Sequence, residues 1–210
     1  MRDRDLTYQY ITPVNIVLVI LNIVVFFVLD VMGDTQSSMF MFEHGAMYPY
    51  AVLVDEQWYR LLTSAFLHFG INHLVNNMIM LVCLGSYLER AIGAVKYAIF
   101  YFVAAVGSSL ISMAYMLRSD NIAVSGGASG VVFGIIGALL YLVIRNKGRF
   151  EDLTMKRFLI MIALSLYYGF ATTGVDNAAH VGGLLVGFVM GLILYRKEKH
   201  YRRYQGGAYR

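Results

Sequence analysis

The sequence predicts an all-α polytopic membrane protein, a six-helix bundle, and three observations carry that expectation. Apolar residues fill 59% of the 210 positions and charged residues only 14%, against about 25% charged in a soluble globular domain. Mean hydropathy is +0.61. Apolar runs recur at Val14–Leu29, Leu61–Leu88, Val95–Leu117, Gly130–Ile144, Phe158–Phe170 and Ala178–Tyr195, and a bilayer-crossing helix needs about 20 predominantly apolar residues. The expected organisation is a cytoplasmic N-terminal segment over 1–13, a membrane domain over 14–195 and a basic cytoplasmic tail over 196–210.

The first run follows a polar start and lacks a small-residue cleavage pattern, so it reads as a retained span rather than a signal peptide. Asn15 and Asn22, seven residues apart on it, are expected to bond between helices. The segment from Val31 to Gln57 has no lysine or arginine but carries Phe40, Phe42, Tyr48 and Tyr50, which suits a membrane interface better than a solvated linker.

The second run is too long for one span: 28 residues would make a helix of roughly 42 Å against a hydrocarbon core of about 30 Å. A break at Phe69-Gly70 is expected, with Asn72 capping the helix that resumes there and His73 in its first turn. The fourth span, about 24 Å from Ser129 to Ile144 at ~1.5 Å per residue, should start below the membrane surface. Non-helical backbone at that depth must line a protected cavity. With the N-terminus inside, fifteen of the 17 basic residues fall on the inner side and only Arg60 and Arg118 outside. That asymmetry predicts both termini in the cytoplasm. The pI near 9.1 reflects these flanks, and nucleic acid is not an expected partner. A single cysteine, Cys83, excludes an intrachain disulfide.

Two small-residue stripes bear on chemistry. Gly130, Gly134, Gly137 and Ala138 lie below Ser129, and Gly183, Gly187 and Gly191 lie below His180. Stripes of this kind let backbones approach closely, so the two helices would bring Ser129 and His180 to matching depth. A serine becomes a nucleophile only with a base in hydrogen-bond reach. The structural alternatives are a flexible glycine-serine turn with a serine cap, and a histidine merely bonded between helices. Ser125-Gly126-Gly127-Ala128-Ser129-Gly130 also departs from the soluble hydrolase pattern G-x-S-x-G. His73 and Asn77, four apart, share a helical face and are able to donate to an oxyanion. On a continuous helix His68 would lie about 140° from His73, a wrong spacing for joint metal ligation, and no zinc signature is present.

Taken together, Trp58-Tyr59-Arg60, His68 through His73-x-x-x-Asn77, Gly85-x-x-x-Glu89-x-x-x-Gly93, Gly127-Ala128-Ser129-Gly130 and Ala179-His180-x-x-Gly183-x-x-x-Gly187 resemble the rhomboid family of intramembrane serine proteases, bacterial six-helix type. The resemblance covers essentially the whole chain. It implies Ser129 as nucleophile and His180 as its base, with His73, Asn77 and the Ser129 amide as oxyanion hole. Gly127, His68 and Phe133 would support them. A dyad is implied rather than a triad, so Asp176 is expected to cap its helix. Phe133 stands where some relatives have tyrosine, and its ring is expected to pack on His180. Arg60 is expected to hold the first loop, and Glu89 to sit beside Arg90 at the inner end of the second span.

The implied partners are transmembrane protein substrates in the lipid bilayer, the implied location is a bacterial plasma membrane, and no metal or organic cofactor is needed. Ser125, Thr172, Thr173 and Asn177 would form a polar mouth, and 169–177 a mobile cap. Two other readings use the same residues: a catalytically silent membrane-protein binding or quality-control protein, and a transporter using Asn15, Asn77, His73 and His180. No internal repeat supports the transporter.

Overall fold

The computed structural model describes residues 12–171 and 174–196. Thr172, Thr173 and most of both terminal segments lie outside them. Among the described residues six apolar helices form the bundle: α1 (Pro13–Met32), α5 (Ile71–Ile92), α6 (Ala94–Ser119), α7 (Ser129–Arg145), α8 (Met155–Ala171) and α9 (Asn177–Leu194). Of these α1, α5, α6 and α9 are long and apolar enough to cross a membrane, and α7 is a shorter apolar helix. Between α1 and α5 lie three short helices, α2 (Ser38–Glu43), α3 (Pro49–Leu53) and α4 (Arg60–Thr63). A two-stranded hairpin, β1 (Arg149–Phe150) with β2 (Leu153–Thr154), joins α7 to α8. The all-α polytopic membrane class is the one the sequence predicts.

Helix α7 runs through the middle, with twelve of its 17 residues buried. Large apolar side chains on the outer helices, such as Val24 and Phe27 on α1 and Leu185 and Val189 on α9, are exposed and face lipid. The glycine stripes interlock. A Cβ on Gly183 would collide with the Gly130 carbonyl oxygen, and one on Gly187 with the Gly134 carbonyl oxygen. Backbone therefore meets backbone along α7 and α9, the close approach that small residues permit in a membrane.

Polar contacts fix the other helices. Asn15 donates through Nδ2 to the Leu81 carbonyl at 2.9 Å, where a π turn (Leu81–Gly85) interrupts α5, and accepts from Tyr97 Oη at 2.7 Å. Gly85 leaves the room for that pair, since a Cβ there would overlap both groups. Asn22 Nδ2 donates to Tyr101 Oη at 3.1 Å. The expected interhelical roles of both asparagines hold.

Three expectations are corrected. The long second run does break, through extended Leu67 and Gly70 at φ +80°, but Asn72 does not cap α5. Gly70 is the N-cap and no side chain serves it, because the left-handed turn puts a glycine, not a side-chain acceptor, at the helix start. Glu89 does not partner Arg90. It is buried and accepts from the backbone amides of Val14 at 3.1 Å and Asn15 at 2.7 Å, capping α1 from across the bundle. Arg90 pairs instead with Glu151 at 3.0 Å. The third correction concerns His68 and His73, whose rings meet edge to face at 5.2 Å, because the break removes the continuous helix on which the 140° separation rests. No cluster of three metal-ligating side chains occurs among the described residues.

Arg60 holds the first loop as expected. It is buried, donates through Nη1 to the carbonyls of Phe42 and Ala46 at 2.6 and 2.8 Å, and lies over the Phe42 ring at 4.4 Å.

Candidate active site

A cavity of about 1500 Å³ opens at the end of the bundle where α5, α7 and α9 begin, lined by Ser64, His73, Asn77, Ser125, Ser129 and His180. Leu164 and Ser165 of α8 complete one wall. Three helix N-termini converge there, each adding positive end potential.

Ser129 is the first residue of α7, one place past the N-cap Ala128. No serine side chain caps α7. The segment leading to it is pinned at each step: Ser125 pairs with Met47 in both directions at 2.8 Å, Gly127 N donates to Ser64 O at 2.8 Å, and Ala128 N donates to His68 Nε2 at 3.3 Å. The first full helical bond of α7 runs from Val132 N to Ala128 O. The Ser129 amide is among the orphan donors that a helix start leaves free.

His180, on the first turn of α9, stacks flat against Phe133, ring centroids 4.2 Å apart. It is buried, and its Nδ1 has no hydrogen-bond partner among the described residues. The bland reading of a histidine bonded between helices does not describe it. The Gly130 to Gly183 contact holds the two first turns together, and Ser129 and His180 line the same cavity.

His73 has a defined tautomer. Phe69 N donates to its Nδ1 at 3.3 Å, which makes Nδ1 the acceptor and leaves the proton on Nε2. That Nε2 lies against Gly127: a Cβ there would be 2.7 Å from it, and Gly127 has φ +128°. Only glycine combines that backbone with that neighbour. Asn77 is buried and spends one amide N–H on the His73 carbonyl at 3.0 Å. Its second remains to donate.

A family model described as the rhomboid domain matches residues 55–197. The chain belongs to the rhomboid family. It is 33% identical over 168 residues to "Rhomboid protease GluP" of Bacillus subtilis (strain 168), covering 80% of this chain and 32% of that protein. It is 37% identical over 158 residues to "RHOMBOID-like protein 5" of Arabidopsis thaliana, covering 74% of this chain and 50% of that one. With "Rhomboid protease AarA" of Providencia stuartii it shares 31% over 202 residues, covering 85% and 71%. The chain thus spans a third to a half of the first two relatives.

In this rhomboid protein the structure brings together the expected Ser129, His180, His73 and Asn77, with Gly127, Phe133 and His68 beside them. Asp176 caps α9 through Ala179 N at 2.8 Å, as expected. What sequence reasoning missed is the rest of the Asp176 carboxylate, which also receives Ser112 Oγ at 2.5 Å and Ser125 Oγ at 2.6 Å. Ser112 lies mid-run in an apolar helix, and nothing local in the sequence points from it to Asp176. Of the expected mouth, Ser125 and Asn177 line the cavity. Asn177 ties the start of α9 to α8 by donating from Nδ2 to Gly169 O at 3.1 Å.

Proposed function

We propose that the chain is an intramembrane serine endopeptidase that cleaves transmembrane helices of membrane-protein substrates by a Ser129–His180 dyad. One observation supports the reading: the first turns of α7 and α9 meet backbone to backbone, and Ser129, His180 and His73 all line the cavity beside that contact. His180 takes the Ser129 hydroxyl proton as the oxygen attacks a peptide carbonyl. The oxyanion receives donors from His73, Asn77 and the Ser129 amide, where preorganised donors and helix ends act in a low-dielectric site. Collapse breaks the C–N bond, His180 returns the proton to the leaving amine, and an acyl-enzyme remains. Water entering the polar cavity then hydrolyses the ester.

A substrate helix has its carbonyls in backbone bonds, so the scissile segment must unwind before it is attacked. The basic asymmetry of the sequence supports a site toward the outer face with both termini in the cytoplasm, and a bacterial plasma membrane is the location proposed for it.

The test is cleavage of a transmembrane reporter by purified protein, with fragments identified by mass spectrometry. Ser129→Ala and His180→Ala should each abolish cleavage, and the double variant should cost little more, because nucleophile and base act as a unit. A serine-reactive phosphonate should modify Ser129. Cleavage by folded Ser129→Ala would defeat the mechanism.

A further inference from the structure

Asp176 does more than cap a helix. Its Oδ1 accepts from Ala179 N on α9, while its Oδ2 accepts from Ser112 on α6 and Ser125 on the segment leading to α7. One carboxylate thereby joins three separate pieces of chain. Ser125 stands four residues before Ser129 and Asp176 four before His180, so the bond between them ties the approach to the nucleophile to the approach to the base. Ser112 is fully buried and anchors the pair to the bundle. The carboxylate does not serve His180, whose Nδ1 has no partner among the described residues.

We propose that Asp176 is a positioning residue, which sets the register of Ser129 against His180 by holding Ser125 and Ser112 on one oxygen while capping α9 with the other. The kinetic part of this inference rests on the serine-protease reading above. An ionised carboxylate only accepts, with about four lone-pair sites, so both hydroxyls are fixed as donors. That chemistry separates clamp from cap. In Asp176→Ser the cap is kept, since serine is a good N-cap, but one short oxygen cannot also hold two hydroxyls. In Asp176→Asn the cap oxygen remains and the amide N–H₂ donates to both hydroxyls, which turn to accept.

The experiment measures kcat and KM for a transmembrane reporter with the purified full chain, together with hydrogen exchange of the peptide covering 123–128. Asp176→Ser should lower kcat about tenfold or more with KM within about threefold, whereas Asp176→Asn should stay within about threefold in kcat, the pattern of lost alignment. Ser125→Ala should add less than about twofold in the Asp176→Ser background, because the two residues act through one bond. Exchange in 123–128 should quicken in Asp176→Ser and not in Asp176→Asn. Equal kcat for the Ser and Asn variants, as a simple cap requires, would overturn the proposal. Should the wild-type chain neither cleave nor react with phosphonate, the protease reading falls by itself. The exchange arm then decides the clamp, and unchanged exchange in Asp176→Ser overturns it.

Discussion

Phe133 and His180 stack nearly parallel, 12° apart in plane, one helical turn beyond Ser129. The imidazole has no partner on Nδ1 among the described residues, so the ring face, rather than a carboxylate, orients it. The proposed dyad needs such a support, because a base that rotates freely loses its alignment with the nucleophile.

Phe133→Ala should therefore slow cleavage without abolishing it. An aromatic pair contributes about 0.5–1.5 kcal/mol beyond its buried area, equivalent to a loss of about two- to tenfold in kcat. Phe133→Tyr keeps the ring and should stay at or near the starting rate. Equal kcat in folded Phe133→Ala and the wild-type chain would show that stacking does not orient the base.

Gly127→Ala should cost far more. Its Cβ would meet His73 Cε1 at 2.6 Å and Nε2 at 2.7 Å, displacing the donor. Removal of one oxyanion donor typically costs about 10²- to 10³-fold in turnover. Gly148 also has a positive φ, +92°, but open space around it, so Gly148→Ala controls for backbone strain. Similar kcat in the two variants would remove Gly127 and His73 from the oxyanion hole.

Features that were legible before the structure depend on spacing along one helix. The stripes below Ser129 and His180, the asparagines at 15 and 22, and the His73–Asn77 pair all follow from helical periodicity. What was not legible depends on chain far away in sequence. Glu89 meets the amides of Val14 and Asn15 some 75 residues earlier, and Asp176 meets Ser112 across 64. The His68–His73 contact escapes sequence reasoning for a different reason: angular arithmetic assumes an unbroken helix, and Gly70 breaks it.

Gly187→Ala should destabilise the bundle. The added methyl would overlap the Gly134 carbonyl oxygen, part of a rigid helix backbone, and overpacking of this kind typically costs about 1–3 kcal/mol. At Gly182 the nearest atom is Ile111 Cβ at 2.8 Å, a shallower overlap than that with the Gly134 carbonyl oxygen at Gly187, so Gly182→Ala should cost less. Thermal unfolding in detergent compares them. A larger loss for Gly182→Ala would contradict the backbone contact between α7 and α9.

The proposed orientation is open to cysteine labelling in a Cys83→Ser background. Met39, exposed on α2, should react with an impermeant maleimide in intact cells when replaced by cysteine, whereas a cysteine at Arg202 should react only after permeabilisation. The basic residues make this prediction, since lysine and arginine remain on the cytoplasmic side. The reverse labelling pattern would turn the site inward and remove cleavage near the outer face.

Glu89 and Arg90 are neighbours in sequence with opposite energetic standing. Glu89 is 3% exposed and holds two backbone amides of α1, whereas the Arg90–Glu151 pair is 25% and 28% exposed. Truncating Glu89 leaves the Val14 and Asn15 amides buried without their acceptor. Hydrogen bonds to a charged group contribute about 1.5–3 kcal/mol each, so Glu89→Ala should lower stability by at least ~2 kcal/mol. A surface ion pair contributes about 0–1 kcal/mol; this pair is part-buried and Arg90 also lies over the Tyr87 ring at 4.7 Å, so Arg90→Ala should cost somewhat more than that but less than Glu89→Ala. Glu89→Gln, which keeps one acceptor oxygen, should fall between them. Unfolding in detergent measures all three. Equal losses for Glu89→Ala and Arg90→Ala would mean that α1 is held by its apolar face and the Asn15 contacts rather than by the Glu89 cap.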